Sequence, residues 1–326
     1  MRQFLGHPRK LLGLCDMTTV RATIRVLVAA LIALGGNVPA WSGEVEEAHA
    51  ALMRNDHAAA LKKYKSAATK GNAQAQSEVG NLYAEGLAVT QDYVEAVRWY
   101  RLAAAQGFAP AQLQLAYIHD LGLGVAQDQA EAAKWYRPVA AQGDPMAQFH
   151  LGLLYDMGQG VAQDPAEAAK WYGLAAEQGN ARAQFNLGLL HAKGRGVARD
   201  DAAAVHWYQL AAGQGDAAAQ LNLGVLHGSG QGVAQDYAEA VKWYRLSAAQ
   251  GNDVAQTNLG SRYGNGQGVA RDYARAHMWF SLGAEAGNAD AAQRLSLVAK
   301  LMTPTQIADA RRLAIECQAR KLKGCD

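Results

Sequence analysis

Residues 143–178 read GDPMAQFHLGLLYDMGQGVAQDPAEAAKWYGLAAEQ, and the same text, lightly edited, starts again at Gly71, Gly107, Gly179, Gly215 and Gly251. Aromatic pairs mark the period: Trp99-Tyr100, Trp135-Tyr136, Trp171-Tyr172, Trp207-Tyr208, Trp243-Tyr244 and Trp279-Phe280 stand 36 residues apart. Self-similarity at such a period is the mark of a solenoid, in which a unit buries its apolar face only by stacking on its neighbours. One elongated all-α domain is therefore expected, and with it a binding role rather than a reaction.

Each unit predicts two helices. Helix A runs from about Pro145 to Asp156, with Ala147, Leu151, Leu154 and Tyr155 on one face. Gly158 and Gly160 then form a loop that needs positive φ. Asp164 stands at an N-cap, with Pro165 at the first helical position and Glu167 three residues after the cap. That Asp-x-x-Glu pattern reads as a capping box and recurs at Asp92/Glu95, Asp128/Glu131 and Asp236/Glu239. It is broken at Asp200/Ala203 and Asp272/Arg275, where weaker helix starts are expected. Helix B presents Ala168, Trp171, Tyr172 and Ala175 as a core stripe and stops at Gly179. Gly152, inside helix A, recurs as Gly80, Gly188, Gly224 and Gly260, with Ala116 in the second unit. Smallness rather than positive φ is the requirement there, so two helices must approach closely beside the Trp and Tyr.

Ala147-Gln148, Leu151-Gly152, Tyr155, Gly158, Gly160-Val161, Asp164, Ala168 and Trp171-Tyr172 together resemble the Sel-one-like repeat, a longer-looped relative of the tetratricopeptide repeat. The resemblance covers about residues 44–314. It implies a right-handed superhelix that binds proteins and has no general catalytic residues. It further implies, for bacterial members, frequent export and roles in envelope signalling, host contact and virulence.

Outside the repeats the text changes. Met17 opens MTTVRATIRVLVAALIALGGNVPA, with Arg21 and Arg25 before an apolar run from Val26 to Gly36 and small residues at Val38 and Ala40. This reads as a secretory signal peptide cut after Ala40 or Ser42, with Met17 as the expected start. The run is too short for a membrane span, which takes about 20 residues. Residues 1–40 form the leader, 41–70 an N-terminal capping helix pair, 71–286 six repeats and 287–326 C-terminal capping helices. In the N-terminal cap Lys63 occupies the Trp column, as a terminal polar face requires, and Asn55 or Asp56 caps the second helix. The leader holds five of the 31 basic and one of the 29 acidic residues, so the remainder has 26 against 28, a net of −2. A nearly neutral body offers nucleic acid no electrostatic footprint. Arg311, Arg312, Arg320, Lys321 and Lys323 cluster near the end and read as a solvated helix terminus.

Only Cys317 and Cys325 remain after the leader. On a continuous helix they would be about 12 Å apart, beyond the roughly 7 Å that a disulfide spans. A Cys317–Cys325 disulfide, the expected pairing, with free or intermolecular thiols as the alternatives, therefore predicts a helix break, and Gly324 is placed to make it.

Catalytic constellations find little support. No Lys-Thr-Gly or Gly-x-Ser-x-Gly occurs, and the regular cysteine pairs of relatives labelled as β-lactamases are missing. A hydrolase acting on β-lactam or peptidoglycan fragments stays as an alternative, as does a self-associating envelope component. No cofactor or metal is expected. His119, His191 and His227 occupy the column that is Tyr at 83, 155 and 263. Copies in successive repeats lie too far apart to share a zinc ion, so these histidines read as hydrogen-bonding substitutes for Tyr.

One row is more informative. On helix A, opposite the core stripe, stand Leu113/Tyr117, Phe149/Leu153, Phe185/Leu189 and Leu221/Val225, flanked by His150, Asn186 and Asn222. The end units carry Ser77/Asn81 and Thr257/Ser261 instead. An apolar row of this kind is either packing against the next repeat or a groove for another protein or peptide.

Overall fold

A computed structural model describes residues 42–325. The signal peptide expected over residues 17–40 lies outside the described residues. Among the described residues there are sixteen α-helices and no strand, an all-α solenoid. The described residues pack as two compact units, divided between Ala111 and Gln112.

In the first unit, α1 (Ser42–Met53) and α2 (His57–Thr69) precede the first repeat, α3 (Ala73–Glu85) and α4 (Tyr93–Ala104). Ala48, Ala51, Leu61, Tyr64, Val79 and Leu82 make its core. Asp56, not Asn55, caps α2. Lys63 pairs with Glu47 at the edge, which keeps the first layer polar.

Helix α5 (Ala109–Leu121) carries the boundary between the units. The second unit continues with α6 (Gln129–Ala141), α7 (Pro145–Met157), α8 (Pro165–Glu177), α9 (Ala181–Lys193) and α10 (Asp201–Gly213). It is completed by α11 (Ala217–Ser229), α12 (Tyr237–Ala248), α13 (Asp253–Asn265), α14 (Tyr273–Glu285), α15 (Ala289–Ala299) and α16 (Pro304–Ala319). Odd-numbered helices α3–α13 are helix A of their repeats, and even-numbered α4–α14 are helix B.

The helix A glycine is small because a tyrosine ring lies against it. A Cβ on Gly152 would stand 2.8 Å from the Tyr172 ring, on Gly188 2.9 Å from that of Tyr208, and on Gly224 2.5 Å from that of Tyr244. The tyrosines are fully buried, so the loss in helix propensity, about 0.5–1 kcal/mol per glycine, is offset by ring burial. The loop glycines meet a different need. Gly158 and Gly160 take φ of +66° and +70°. A Cβ on Gly160 would fall 2.2 Å from the Gln129 carbonyl carbon at the start of the preceding helix B. Gly196, Gly232 and Gly268 press in the same way on Pro165, Asp201 and Tyr237. The loop is thus a stacking contact between repeats.

Asp92, Asp128, Asp164, Asp200, Asp236 and Asp272 all cap their helices, each accepting the backbone N–H three residues on. The capping-box reading fails, however. The Asp N–H groups donate to backbone carbonyls of helix A, as Asp164 does to Tyr155 and Asp200 to His191. No N–H is left for a glutamate to satisfy, so Glu131, Glu167 and Glu239 turn instead to Lys134, Lys170 and Lys242. Asp200 and Asp272 cap as the others do. A reciprocal capping box forms only at Thr303/Gln306 among the described helices.

A glutamine ladder holds the layers in register. Gln148 Nε2 donates to the Ala140 carbonyl of the preceding helix B, and Gln178 Nε2 donates to Gln148 Oε1 at 2.8 Å. Gln184/Gln214 and Gln220/Gln250 repeat the arrangement, and Gln76/Gln106 does so in the first unit. The helix A amides of Gln76, Gln148, Gln184 and Gln220 are buried, where an unmade hydrogen bond is costly.

The histidine column departs from expectation. Tyr83, Tyr155 and Tyr263 accept hydrogen bonds from Lys65, Arg137 and Arg245, eighteen residues earlier. Opposite His191 and His227 that position holds Gly173 and Gln209, and the Nδ1 atoms of both histidines are buried without a bond. They fill the space of a tyrosine ring without replacing its hydrogen bond.

At the C-terminal end Trp279, Phe280 and Leu282 share a core with Val298 of α15 and Ala314 and Cys317 of α16. The Cys317 and Cys325 Cα atoms lie 5.1 Å apart with the sulfurs joined. The reversal that allows this begins before Gly324 and includes it: α16 ends at Ala319, and Lys321, Leu322 and Gly324 take φ of +55°, +63° and +61°. In the basic cluster, Arg312 pairs with Glu316 and Asp309.

Candidate functional site

The helix A row lies wholly within the second unit, and its members are not equally available. Phe149 is 5% exposed and packs on the Tyr172 ring, 6.0 Å between centroids. Phe185 lies 5.8 Å from the Tyr208 ring and is half-buried. Phe149 is therefore repeat packing, because helix A is sandwiched between two layers. In two of the four pairs, Phe149/Leu153 and Leu221/Val225, the second member is the more accessible. Tyr117, Leu153 and Leu189 are half-buried, and Val225 is 42% exposed. Leu113 and Leu221 are half-buried, Leu221 against the C-terminal core.

An aromatic chain stiffens one end of the row. The Tyr117 ring meets the Tyr136 and His150 rings edge-on at 5.7 and 5.0 Å, and Tyr136 stacks on His150 at 5.3 Å. Burial, with Arg182 nearby, pushes His150 down to about 4, so the ring is neutral at pH 7 and acts as an aromatic plate. The flanking asparagines have internal neighbours. Asn186 faces the Tyr172 hydroxyl and Asn222 that of Tyr208, in each case across to the preceding helix B. Burial raises Tyr208 to about 12, and Asn222 moderates the rise. Asp120 is likewise pushed up by burial and held back by Tyr136.

The sequence thus brings eleven residues onto the helix A face, of which the structure buries Phe149, leaves Val225 exposed and holds the others half-buried. The tyrosine hydroxyls of helix B at that face were not anticipated. Their 36-residue spacing was visible, but nothing local shows that a core ring extends to the next helix A. A second column was also overlooked: Leu102, Leu174, Leu210 and Leu246, exposed on helix B.

The side chains of the face are apolar, aromatic or amide-bearing, with the His150 imidazole packed among them. Among the described residues no group of three or more His, Cys, Asp or Glu is placed to hold a metal. No described helix is long and apolar enough to cross a membrane.

The Sel1 repeat model matches residues 73–108, 109–144, 145–180, 181–216, 217–252 and 253–288. A protective antigen present in uropathogenic Escherichia coli strains, with an SLR fold, is 39% identical at a TM-score of 0.71. The match covers 80% of this chain but 56% of the antigen, so the chain spans little more than half of that relative. A Sel1 repeat protein from Oxalobacter formigenes is 32% identical at a TM-score of 0.63, covering 74% of this chain and 96% of its own. Comparison with curated proteins gave no match.

Proposed function

The chain belongs to the Sel1 repeat family, and from that premise we propose that it is an exported scaffold binding a protein or peptide along the helix A face of residues 113–225. Sel1 repeats are generally protein–protein interaction scaffolds and are typically non-enzymatic. The observation that carries the proposal is the row Tyr117, Leu153, Leu189 and Val225, left half-buried or exposed on four successive repeats, while the end repeats carry Asn81 and Ser261. Burying such a row against a partner yields roughly 25 cal/mol per Å² of apolar surface. The rigid layers beneath keep the ordering cost low.

Export rests on the signal-like run over residues 17–40 and on the antigen among the relatives. The Cys317–Cys325 pair fits an oxidising compartment. In that setting the scaffold would serve envelope signalling or host contact, and the chain would divide into leader (1–40), N-terminal cap (41–70), repeats (71–286) and C-terminal cap (287–326). The test is affinity capture from envelope and secreted fractions by the full chain and by a Leu153→Glu/Leu189→Glu variant of equal helicity. A partner held by the parent and lost by the variant is the expected result. Equal capture by both would overturn the assignment of the face.

A further inference from the structure

Helix α14 shows what the outer line of a helix B can accept. Arg275, Met278, Leu282 and Glu285 follow one another at helical spacing along one face. Helix α16 engages that line at both ends: Arg275 lines a cleft with Leu313, Cys317 and Arg320, and Gln318 donates to Glu285. Between those ends Met278 and Leu282 are buried, Leu282 to 4%.

The same line on α8 reads Glu167, Lys170, Leu174 and Glu177, and on α12 Glu239, Lys242, Leu246 and Ala249. In both, a Glu–Lys ion pair stands beside the exposed leucine. Seating an apolar helix there would desolvate two charges, a cost that their mutual attraction need not repay. On covered α14 this pair is gone, with Met278 in the lysine position and Arg275 turned to Asp272.

On α10 the pair is also gone, yet among the described residues no helix covers its outer line. Its line reads Ala203, His206, Leu210 and Gly213, with no acidic or basic carboxylate, ammonium or guanidinium group between Ala202 and Gln214. Leu210 is 40% exposed, and a Cβ on Gly213 would meet nothing within 4 Å. Gly213 lets a second backbone come close, and Leu210 supplies the apolar knob.

We propose that the outer line of α10 is a docking site for an amphipathic helix of a partner protein, seated as α16 is on α14. The α16 stripe that meets the common core with Leu282 is Ala314 and Cys317, with Leu313 packed beside it. The partner helix accordingly carries small and apolar residues at i, i+3 or i+4, and i+7, and keeps its charges off that stripe, since α10 offers no countercharge.

The test uses the full chain and a fluorescent peptide of sequence 303–322 carrying Cys317→Ser, read by anisotropy. The expected result is saturable binding, weakened at least tenfold by Leu210→Glu and by Gly213→Lys and unchanged by Leu246→Glu. A side chain at Gly213 enters open space and Leu210 is already 40% exposed, so both variants should keep the parent helicity, which circular dichroism verifies. No saturable binding, or binding that survives Leu210→Glu and Gly213→Lys, or equal loss on Leu246→Glu, would overturn the proposal.

Discussion

Gln256 and Ala286 stand thirty residues apart, and the hydrogen bond that joins Gln148 to Gln178, Gln184 to Gln214 and Gln220 to Gln250 is missing between them. The Gln256 amide still donates to the Ala248 carbonyl, but its buried Oε1 has no partner. Ala286→Gln should complete the rung and stabilise the chain by about 1 kcal/mol. Gln184→Leu, which strands the Ala176 carbonyl, should cost about 1–3 kcal/mol. Denaturant midpoints compared with the parent check both signs.

Ala88 occupies the second loop-glycine position of the first repeat and is held at φ +66°. The equivalents Gly124, Gly160, Gly196, Gly232 and Gly268 take that conformation freely. An L side chain there costs roughly 1–2 kcal/mol, partly offset by the greater unfolded-state freedom of glycine. Ala88→Gly should therefore raise stability by about 0.5–1 kcal/mol. An unchanged or lower unfolding midpoint would contradict this account of the loop.

The helix B caps separate two contributions that the sequence runs together. Asp164→Ala and Asp200→Ala should each cost about 1 kcal/mol, because each removes an acceptor for backbone N–H groups. Glu167→Ala should cost under about 0.5 kcal/mol, because it breaks only an exposed ion pair to Lys170. A Glu167 effect as large as that of Asp164 would restore the capping-box reading.

His150 gives the stability a pH dependence with a definite sign. Its folded value of about 4 lies below the ordinary 6.5, so below pH 6.5 the unfolded chain takes up a proton that the folded chain refuses. Stability from this residue is fully present above pH 6.5 and falls as the pH drops toward 4, by on the order of 2–3 kcal/mol. His150→Asn places there the residue found at Asn186 and Asn222. The parent-minus-variant difference in unfolding free energy, followed from pH 7 to pH 4, should show that loss; a flat difference would contradict it.

Most of the fold was legible because it recurs. A tyrosine, glycine or aspartate returning every 36 residues names its layer and its role in packing. Interactions involving a third element were not legible. The Asp-x-x-Glu pattern looks like a box until the Asp164 N–H is found bonded to the Tyr155 carbonyl. The Ala-Gln pair looks like a helix surface until Gln178 and Ala140 close around it. The reversal after α16 was signalled by Gly324, but its start at Lys321 and Leu322 carries no glycine signal. The apolar row was visible, but its division into buried Phe149 and outermost Val225 depends on the angle between stacked helices. The helix B leucines were equally periodic, and only α16 lying over Leu282 reveals what such a line accepts.

The binding face is tested most directly by photocrosslinking in the producing cells. A benzoylphenylalanine placed at Leu189 or Val225, with Lys170 on the outer side of α8 as control, reports what lies within a few ångströms of each face. The account predicts a shared adduct at 189 and 225 that is missing at 170 and lost when Leu153→Glu is added. Adducts equal at all three positions, or none at 189 and 225, would contradict it.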